Sequence, residues 1–375
     1  MDREYRICKR CIMDTTDPDI SFDEQGICNH CREYAVHYGK DVFTGDEGKK
    51  RLDEIVARIR AKAGKSEHDS VMGLSGGVDS TYVAYLAKQL GLNPLCVHLD
   101  NGWDSELSVK NIENIVRRLG FDLHTHVIDW EEFKDLQLAY MKASVIDIEV
   151  PTDHAITAVL YDVAREQNIS FILSGNNIAT EGILPFSWVH GNKNDLINLK
   201  AIHRKFGSLP LKSYPRLGLC RRLYYHVVKK IRTVKILNYI RYNKKEAKRI
   251  ITESLGWRDY GYKHYESFFT RFYQAYILTK KFGVDKRRAH LSTLICSGQM
   301  TREEALSEIQ KELYNEDDLK NDKEYVLKKL GLSEKDFERI MALPVKSHLD
   351  YGSDLKIHRL IMSAYEKLKR FKARR

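Results

Sequence analysis

Ser70-Val71-Met72-Gly73-Leu74-Ser75-Gly76-Gly77-Val78-Asp79-Ser80 is the stretch on which the fold turns. Its apolar start reads as a short strand over residues 70–74, and the pattern from Asp79 to Leu90, closed by Gly91, reads as a helix. Strand, glycine turn and helix follow one another directly, which puts free backbone N–H groups at a helix amino terminus, a cradle for an anion. No Gly-Lys-Ser/Thr follows, so this is not a Walker A loop, and the absence of G-x-G-x-x-G excludes the dinucleotide fingerprint.

The same alternation continues outward. Strands are expected over residues 94–99, ending in Asp100-Asn101-Gly102, over 123–128 and over 169–173, with helices over 105–119 (closed by Gly120) and 153–167. Upstream, Leu52, Ile55, Val56 and Ile59 recur at helical spacing. The pattern predicts an α/β fold with a doubly wound, mostly parallel sheet, in which ligands lie beyond the carboxyl ends of the strands. Thr301 with Glu304, and Ser333 with Asp336, mark helix starts in a C-terminal helical region. Four segments are expected: a cysteine module over 1–45, the α/β domain over 46–199, a basic helical insertion over 200–255 and a helical substrate- and phosphate-binding region over 256–375.

The sextet Ser75 to Ser80 closely resembles the pyrophosphate (PP) loop of the ATP pyrophosphatase superfamily, a fold of the HUP type. That resemblance implies cleavage of ATP to AMP and pyrophosphate, with AMP placed on a carbonyl oxygen that a nucleophile then displaces. It also implies that Ser75, Gly76, Gly77, Val78 and Ser80 hold the departing pyrophosphate and that Asp79 positions Mg²⁺ on it. Asp100 at the end of the second strand is expected to border the adenosine. Ser174-Gly175-Asn176-Asn177 with Glu181 resembles a later motif in which a glycine and an acid approach AMP and metal.

Cys8-Lys9-Arg10-Cys11 and Cys28-Asn29-His30-Cys31 are two C-x₂-C knuckles separated by 16 residues. Four thiolates at this spacing suit one structural, tetrahedral Zn²⁺, and a redox pair or an iron–sulfur site is the alternative. Cys96, Cys220 and Cys296 read as isolated thiols. There is no apolar run of membrane-spanning length and no signal pattern at the start, so a cytoplasmic protein is expected.

Amide nitrogen is usually released from glutamine by a nucleophilic cysteine, yet residue 2 is Asp2 and no G-x-C-x-G elbow occurs. Ammonia must then come from elsewhere. Together, the cysteine ribbon, the loop at Ser75–Ser80, Pro151-Thr152-Asp153-His154, Lys263-His264-Tyr265-Glu266-Ser267 and Asp285-Lys286-Arg287-Arg288-Ala289-His290 through Ser297-Gly298 resemble the N-acetyl sugar amidotransferases of bacterial surface-polysaccharide biosynthesis (lipopolysaccharide O-antigen and nonulosonate). The resemblance spans nearly the whole chain. It implies conversion of an acetamido group on a nucleotide-activated sugar into an acetamidino group, with ammonia from a separate glutaminase subunit. Lys263, Lys286, Arg287 and Arg288 are then expected to bind phosphates of ATP or of the sugar nucleotide. His264, Glu266, Asp153 and His154 are the candidates to take a proton from the attacking ammonia.

The net charge of +10 is local: residues 200–249 hold sixteen Lys and Arg and one acid, Glu246, so the rest of the chain is net acidic. Within a long helix expected from about Cys220 to Leu255, Leu223, Val227, Ile231 and Val234 recur at helical steps among cations, which describes a cationic amphipathic helix. It could dock the glutaminase, lie against an anionic membrane surface or form a solvated face. The rival reading of the whole chain is a tRNA-modifying enzyme of the thiolation type, which also combines zinc with a PP-loop. It ranks second, and nucleic acid is not the expected partner, because the spare cysteines are not paired beside the loop.

Overall fold

The computed structural model describes residues 4–261 and 266–357, together with 360, 361 and 363. In chain order, α1 (Asn29–Asp41) starts within the second cysteine knuckle, with Cys28 as its cap and Cys31 in its first turn, and α2 (Gly45–Ala63) leads into the sheet. Then come β1 (Ser70–Gly73), α3 (Val78–Gln89), β2 (Pro94–Asp100), α4 (Glu106–Leu119), β3 (Leu123–Val127), α5 (Trp130–Ala143), α6 (Val150–Glu166), β4 (Phe171–Ser174) and α7 (Ile178–Glu181). The chain continues through α8 (Leu196–Phe206), α9 (Leu219–Leu223), β5 (Arg232–Lys235) and α10 (Lys244–Leu255). Six further α-helices follow among the described residues: α11 (Phe268–Phe272), α12 (Leu278–Phe282), α13 (Arg287–Cys296), α14 (Arg302–Ile309), α15 (Glu316–Leu330) and α16 (Glu334–Ala342), with a short 3-10 turn at His348–Tyr351 after them.

All five strands are parallel, in the order β3-β2-β1-β4-β5. Val71 pairs with Leu95 on one side and with Ile172 on the other, so β1 is central and buried on both faces, as its unbroken apolar run requires. Side chains alternate between two cores. Met72, Cys96 and Leu173 meet α2, α3, α4 and α10 through Ile59, Val83, Ile112 and Ile251. Val71, Val97 and Ile172 meet α6 through Ala158, Val159 and Val163. A third core, built on Trp103, Phe133, Tyr140, Phe272 and Phe337, binds α5 to α11, α15 and α16. The chain leaves β1 toward β2 and leaves β4 toward β5, so the order reverses between β1 and β4, and a crevice opens beyond their carboxyl ends.

The helix expected from Cys220 to Leu255 is not formed. After α9 the chain makes one π-helical turn, Tyr224–Val228, and Lys230 turns left-handed (φ 56°). Arg232–Lys235 then joins the sheet, with Leu173 opposite Val234. The apolar positions that mimic a helical stripe divide between a turn and a strand, so the cationic amphipathic helix is corrected to a basic turn plus an edge strand. Both C-terminal capping boxes do form, at Thr301 with Glu304 and at Ser333 with Asp336. Among the described residues, no helix is long and apolar enough to cross a membrane.

Candidate functional site

The loop after β1 is held in place from several sides. Gly76 is left-handed (φ 76°), and a Cβ there would come within 2.8 Å of the Tyr260 hydroxyl, so only glycine fits. Its carbonyl accepts hydrogen bonds from Trp257 Nε1 (2.7 Å) and the Tyr260 hydroxyl (2.8 Å). Tyr260 is steadied in turn by Asn111 Nδ2 (2.8 Å) on α4, and Ser108 Oγ donates to the Ser75 carbonyl (3.3 Å). Within the loop, Ser75 Oγ accepts from the Gly77 N–H (3.3 Å) and lies 3.2 Å from Ser80 Oγ. Gly77 caps α3, whose first-turn amides have no intrahelical acceptor and face the crevice.

The end of β4 closes the other wall. A Cβ on Gly175 would sit 3.1 Å from Ser80 N and 3.2 Å from the Asp79 carbonyl carbon, so the absence of a side chain lets β4 run against the start of α3. Asn177 caps α7 by accepting from Thr180 N (2.9 Å), which sets Glu181 in that short helix. Asn176 precedes the cap, its N–H bonded to Ser174 Oγ (3.2 Å). Asp79 Oδ1 accepts a hydrogen bond from the hydroxyl of Tyr242, a residue between β5 and α10 that is 5% exposed. Burial, together with the charges of Asp79 and Glu181, pushes the Tyr242 phenol well above its ordinary pKa, so it stays a donor. Gln299, beyond α13, donates to the carbonyls of both Tyr242 and Ala179 (3.3 Å each) and fastens the C-terminal region to this wall.

Glu266 arrives from the opposite side. Asp104 and Ser267 form an antiparallel bridge, and the Glu266 carbonyl accepts from Ser105 N (2.9 Å). Its carboxylate then stands beside the loop: a Cβ on Gly77 would be 3.5 Å from Glu266 Oε1. Asp100 ends β2 and turns the chain by accepting from Gly102 N (2.8 Å). Beneath the loop, buried His98 bonds the Leu74 carbonyl (3.2 Å) and lies 3.2 Å from Asp104 Oδ2. Burial lowers the His98 pKa, but the bond to Asp104 outweighs it and the net shift is upward.

Other expected residues lie apart from this cluster. Asp153 lies in the first turn of α6, near the rim through the contact of Asn101 Nδ2 with Thr152 Oγ1 (3.4 Å), and is paired with Lys193 (2.8 Å), which also pairs with buried Asp147 (2.7 Å). Burial pushes the Asp147 carboxyl up, but the charges of Lys193 and Lys286 bring it down to about 2. The Lys286 ammonium lies over the Tyr273 ring (5.4 Å). His154 is fully buried: Nδ1 bonds the Lys193 carbonyl (3.2 Å) and Nε2 accepts from Leu217 N (3.0 Å). Burial lowers its pKa to about 4. With both nitrogens occupied by backbone, the expectation of His154 as a base is corrected to a packing role.

Arg287 and Arg288 are corrected likewise. Arg287 pairs with Asp285 (2.7 Å) and bonds the Lys311 carbonyl (2.8 Å), while Arg288 reaches Asp14 (2.9 Å) and the Ile12 carbonyl (3.1 Å), clamping the cysteine module to α13. Neither guanidinium is turned to the crevice loop. Lys263 and His264 lie outside the described residues.

Cys8, Cys11, Cys28 and Cys31 are buried, with their sulfurs all within 4.8 Å of one another. Cys8 and Cys31 are 3.9 Å apart, and Cys11 and Cys28 3.7 Å. A tetrahedral zinc with bonds of about 2.3 Å places sulfurs about 3.8 Å apart, so the donor set and the spacing fit. Backbone N–H groups of Arg10 (3.4 Å) and Cys28 (3.3 Å) point at Cys8 Sγ, as thiolates require. Cys296, read from sequence as isolated, stands 3.7 Å from Cys31 Sγ. Trp257, Tyr260, Asn111 and Tyr242 were not singled out by sequence; the run of polar and aromatic residues just after Gly256 was the available signal.

Residues 51–206 match the NAD synthase family model, and residues 266–369 match the model of the LPS biosynthesis protein WbpG-like C-terminal domain. An uncharacterised protein of Methanocaldococcus jannaschii is 28% identical over 121 residues, 31% of this chain and 40% of that protein. A tRNA(Ile)-lysidine synthase of Chlamydia pneumoniae is 37% identical over 92 residues (24% and 27%). A glutamine-hydrolysing GMP synthase of Aeromonas hydrophila is 38% identical over 84 residues (22% and 15%). The chain thus spans less than half the length of these relatives. Among solved structures, the NH3-dependent NAD synthetase of Campylobacter jejuni gives a TM-score of 0.29 at 19% identity, covering 44% of this chain and 79% of that one. NMN synthetase of Francisella tularensis gives 0.30 at 13%, covering 60% and 92%. The strand order and the loop at the switch point agree with the family match over residues 51–206: the fold is a doubly wound parallel α/β sheet similar to that of the NAD synthase family, with an N-terminal cysteine cluster and a C-terminal helical region.

Proposed function

We propose that the chain is the synthetase component of an ATP-dependent amidotransferase, which turns the acetamido group of a nucleotide-activated N-acetyl sugar into an acetamidino group. The observation that carries this reading is the convergence on one crevice of the Ser75–Ser80 loop, Asp79, Gly175, Glu181 and the Glu266 carboxylate. ATP-dependent amidation chemistry is supported by the NAD synthase match, and a place in lipopolysaccharide biosynthesis by the WbpG-like match over 266–369.

In the first step the acetamido oxygen attacks the α-phosphorus of ATP, the bond to the β-phosphate oxygen breaks, and pyrophosphate leaves. The amides of Gly76, Gly77 and Val78, with the hydroxyls of Ser75 and Ser80, receive its charge. Asp79 and Glu181 would hold Mg²⁺, which neutralises charge on the phosphates when bound. In the second step ammonia adds to the activated carbon, Glu266 takes a proton from the new ammonium, and AMP departs, leaving C=N where C=O stood. Asp153, charge-paired with Lys193 at the rim, is the secondary candidate for that proton. Cys8, Cys11, Cys28 and Cys31 would hold one structural Zn²⁺, and the pair of Arg288 with Asp14 in the same module braces the C-terminal region.

Ammonia comes from a separate glutaminase. Of the basic segment, Arg241–Arg249 lies beside the Tyr242 wall, whereas the turn before β5 is at the opposite end of the sheet, so the former is where a donor would reach the crevice. Protein, ATP, Mg²⁺ and ammonium should release AMP and pyrophosphate only when a UDP- or CMP-linked N-acetyl sugar is added. Release triggered instead by tRNA favours the second reading, a tRNA-modifying enzyme, which the tRNA(Ile)-lysidine synthase match supports.

A further inference from the structure

The turn before β5 is built as a fixed, outward-facing tip. Lys229 N closes onto the Tyr224 carbonyl (3.1 Å) and Ile231 N onto that of Tyr225 (3.0 Å). Tyr225 and Ile231 are buried and anchor it. The Tyr225 ring stacks on Tyr161 (5.9 Å), and its hydroxyl donates to Asp162 Oδ1 (2.7 Å) while accepting from Arg221 Nε (2.8 Å). Outside this anchor stand Val227 (56% exposed), Val228 (61%) and Tyr224 (43%). Lys229, Lys230 and Arg232 are exposed beside them.

Single exposed apolar residues are ordinary, but two adjacent valines on a braced turn gain nothing from the fold where they are. The cations around them are unbalanced: no acid lies between Lys200 and Asn243, and the nearby Asp162 is already engaged by Arg221 (2.7 Å) and Tyr225. The position also matters. Because β5 runs parallel to β4, the tip lies at the amino ends of the strands, away from the crevice.

We propose that this tip docks the chain on an anionic phospholipid surface. Val227, Val228 and Tyr224 enter the headgroup layer, and Lys229, Lys230 and Arg232 match the lipid phosphates. An apolar insertion and a basic cluster are the two signals that reversible membrane attachment needs, and each alone is weak. Charge complementarity names an anionic partner, and the aliphatic pair selects lipid over RNA, whose phosphates would satisfy the lysines but leave the valines in water. A chain held this way keeps its nucleotide crevice open to solvent. The proposal does not rest on the proposed amidotransferase activity, since none of these residues touches the loop.

The test is co-sedimentation of the full chain with vesicles of phosphatidylcholine alone or with about 30% phosphatidylglycerol, at low and high salt. Binding to the anionic vesicles should exceed binding to the neutral ones by about tenfold or more and fall with salt. The pairs Lys229→Gln/Lys230→Gln and Val227→Ser/Val228→Ser should each weaken it by about tenfold. Lys320→Gln/Lys335→Gln, on exposed helical faces far along the chain, should not. Melting curves identify any variant that fails to fold, and the lysine pair, which lies wholly outside the core, keeps the test decisive. Absence of binding, equal binding to neutral vesicles, retention in the lysine pair, or binding to single-stranded RNA in place of vesicles would each overturn the proposal.

Discussion

Replacing Tyr242 by Phe removes one oxygen from the wall of the crevice and little else. The ring remains packed against Tyr82 (5.6 Å) and the core beneath α3 and α10, so the fold should survive. What is lost is the only hydroxyl seen to hold Asp79 Oδ1 among the described residues, in a place only 5% exposed at Tyr242. A hydrogen bond to a charged group is worth about 1.5–3 kcal/mol. At about 1.4 kcal/mol per tenfold, that corresponds to about 10- to 100-fold in kcat/KM if the bond serves to aim the carboxylate at a metal-bound phosphate. Pyrophosphate release measured across a magnesium titration should show a lower kcat and a higher half-saturating magnesium concentration, at an unchanged melting temperature. Asp79→Asn should be inactive under all conditions. Turnover and magnesium dependence within about twofold of wild type, with Asp79→Asn inactive, would refute the reasoning: Asp79 would matter but Tyr242 would not position it.

Gly175→Ala should cost about 1–3 kcal/mol and at least about tenfold in pyrophosphate release, because its methyl group would meet backbone at Ser80 and Asp79 that cannot move without shifting α3; a fully active, equally stable variant would contradict this packing. Purified protein should contain about one zinc per chain by elemental analysis, and Cys28→Ser/Cys31→Ser should lose it and melt earlier. His154, held neutral in the fold with a pKa of about 4 against an ordinary 6.5, binds fewer protons than in the unfolded chain between those values. Its stabilisation is therefore complete above about pH 6.5 and is lost as pH falls toward 4. From pH 7 to 5 the wild type should lose about 2 kcal/mol more than His154→Gln, read from denaturant curves, and parallel losses would count against it.

Much of this was legible in the sequence because the informative residues are also the structurally constrained ones. β1, β2 and β4 are largely apolar runs ending in or followed by glycine or asparagine, and the loop between β1 and α3 carries Gly76, whose left-handed backbone and close neighbour Tyr260 admit no side chain. The cysteine spacing was legible for the same reason. β5 was not: Arg232-Thr233-Val234-Lys235 is a charged edge strand, and its single half-buried valine falls in phase with a helical stripe from Leu223. The π-helical turn at Tyr224–Val228 and the left-handed Lys230, which no propensity marks, break that stripe. His154, Arg287 and Arg288 misled in another way. They are chemically able residues whose ring nitrogens or guanidinium groups are taken up by Leu217, Asp285 and Asp14, contacts formed across 2 to 274 positions of chain. Conversely, Trp257, Tyr260 and Tyr242 act on the loop from more than 160 residues away, where no local pattern could connect them.

The measurement closest to the central claim is mass spectrometry of a UDP- or CMP-linked N-acetyl sugar incubated with the protein, ATP, Mg²⁺ and ammonium. The account predicts a product lighter by about one mass unit, from replacement of O by NH, with one AMP and one pyrophosphate formed per product. ATP cleavage without any change in sugar mass across UDP- and CMP-linked substrates, or a mass change that proceeds without AMP formation, would contradict it.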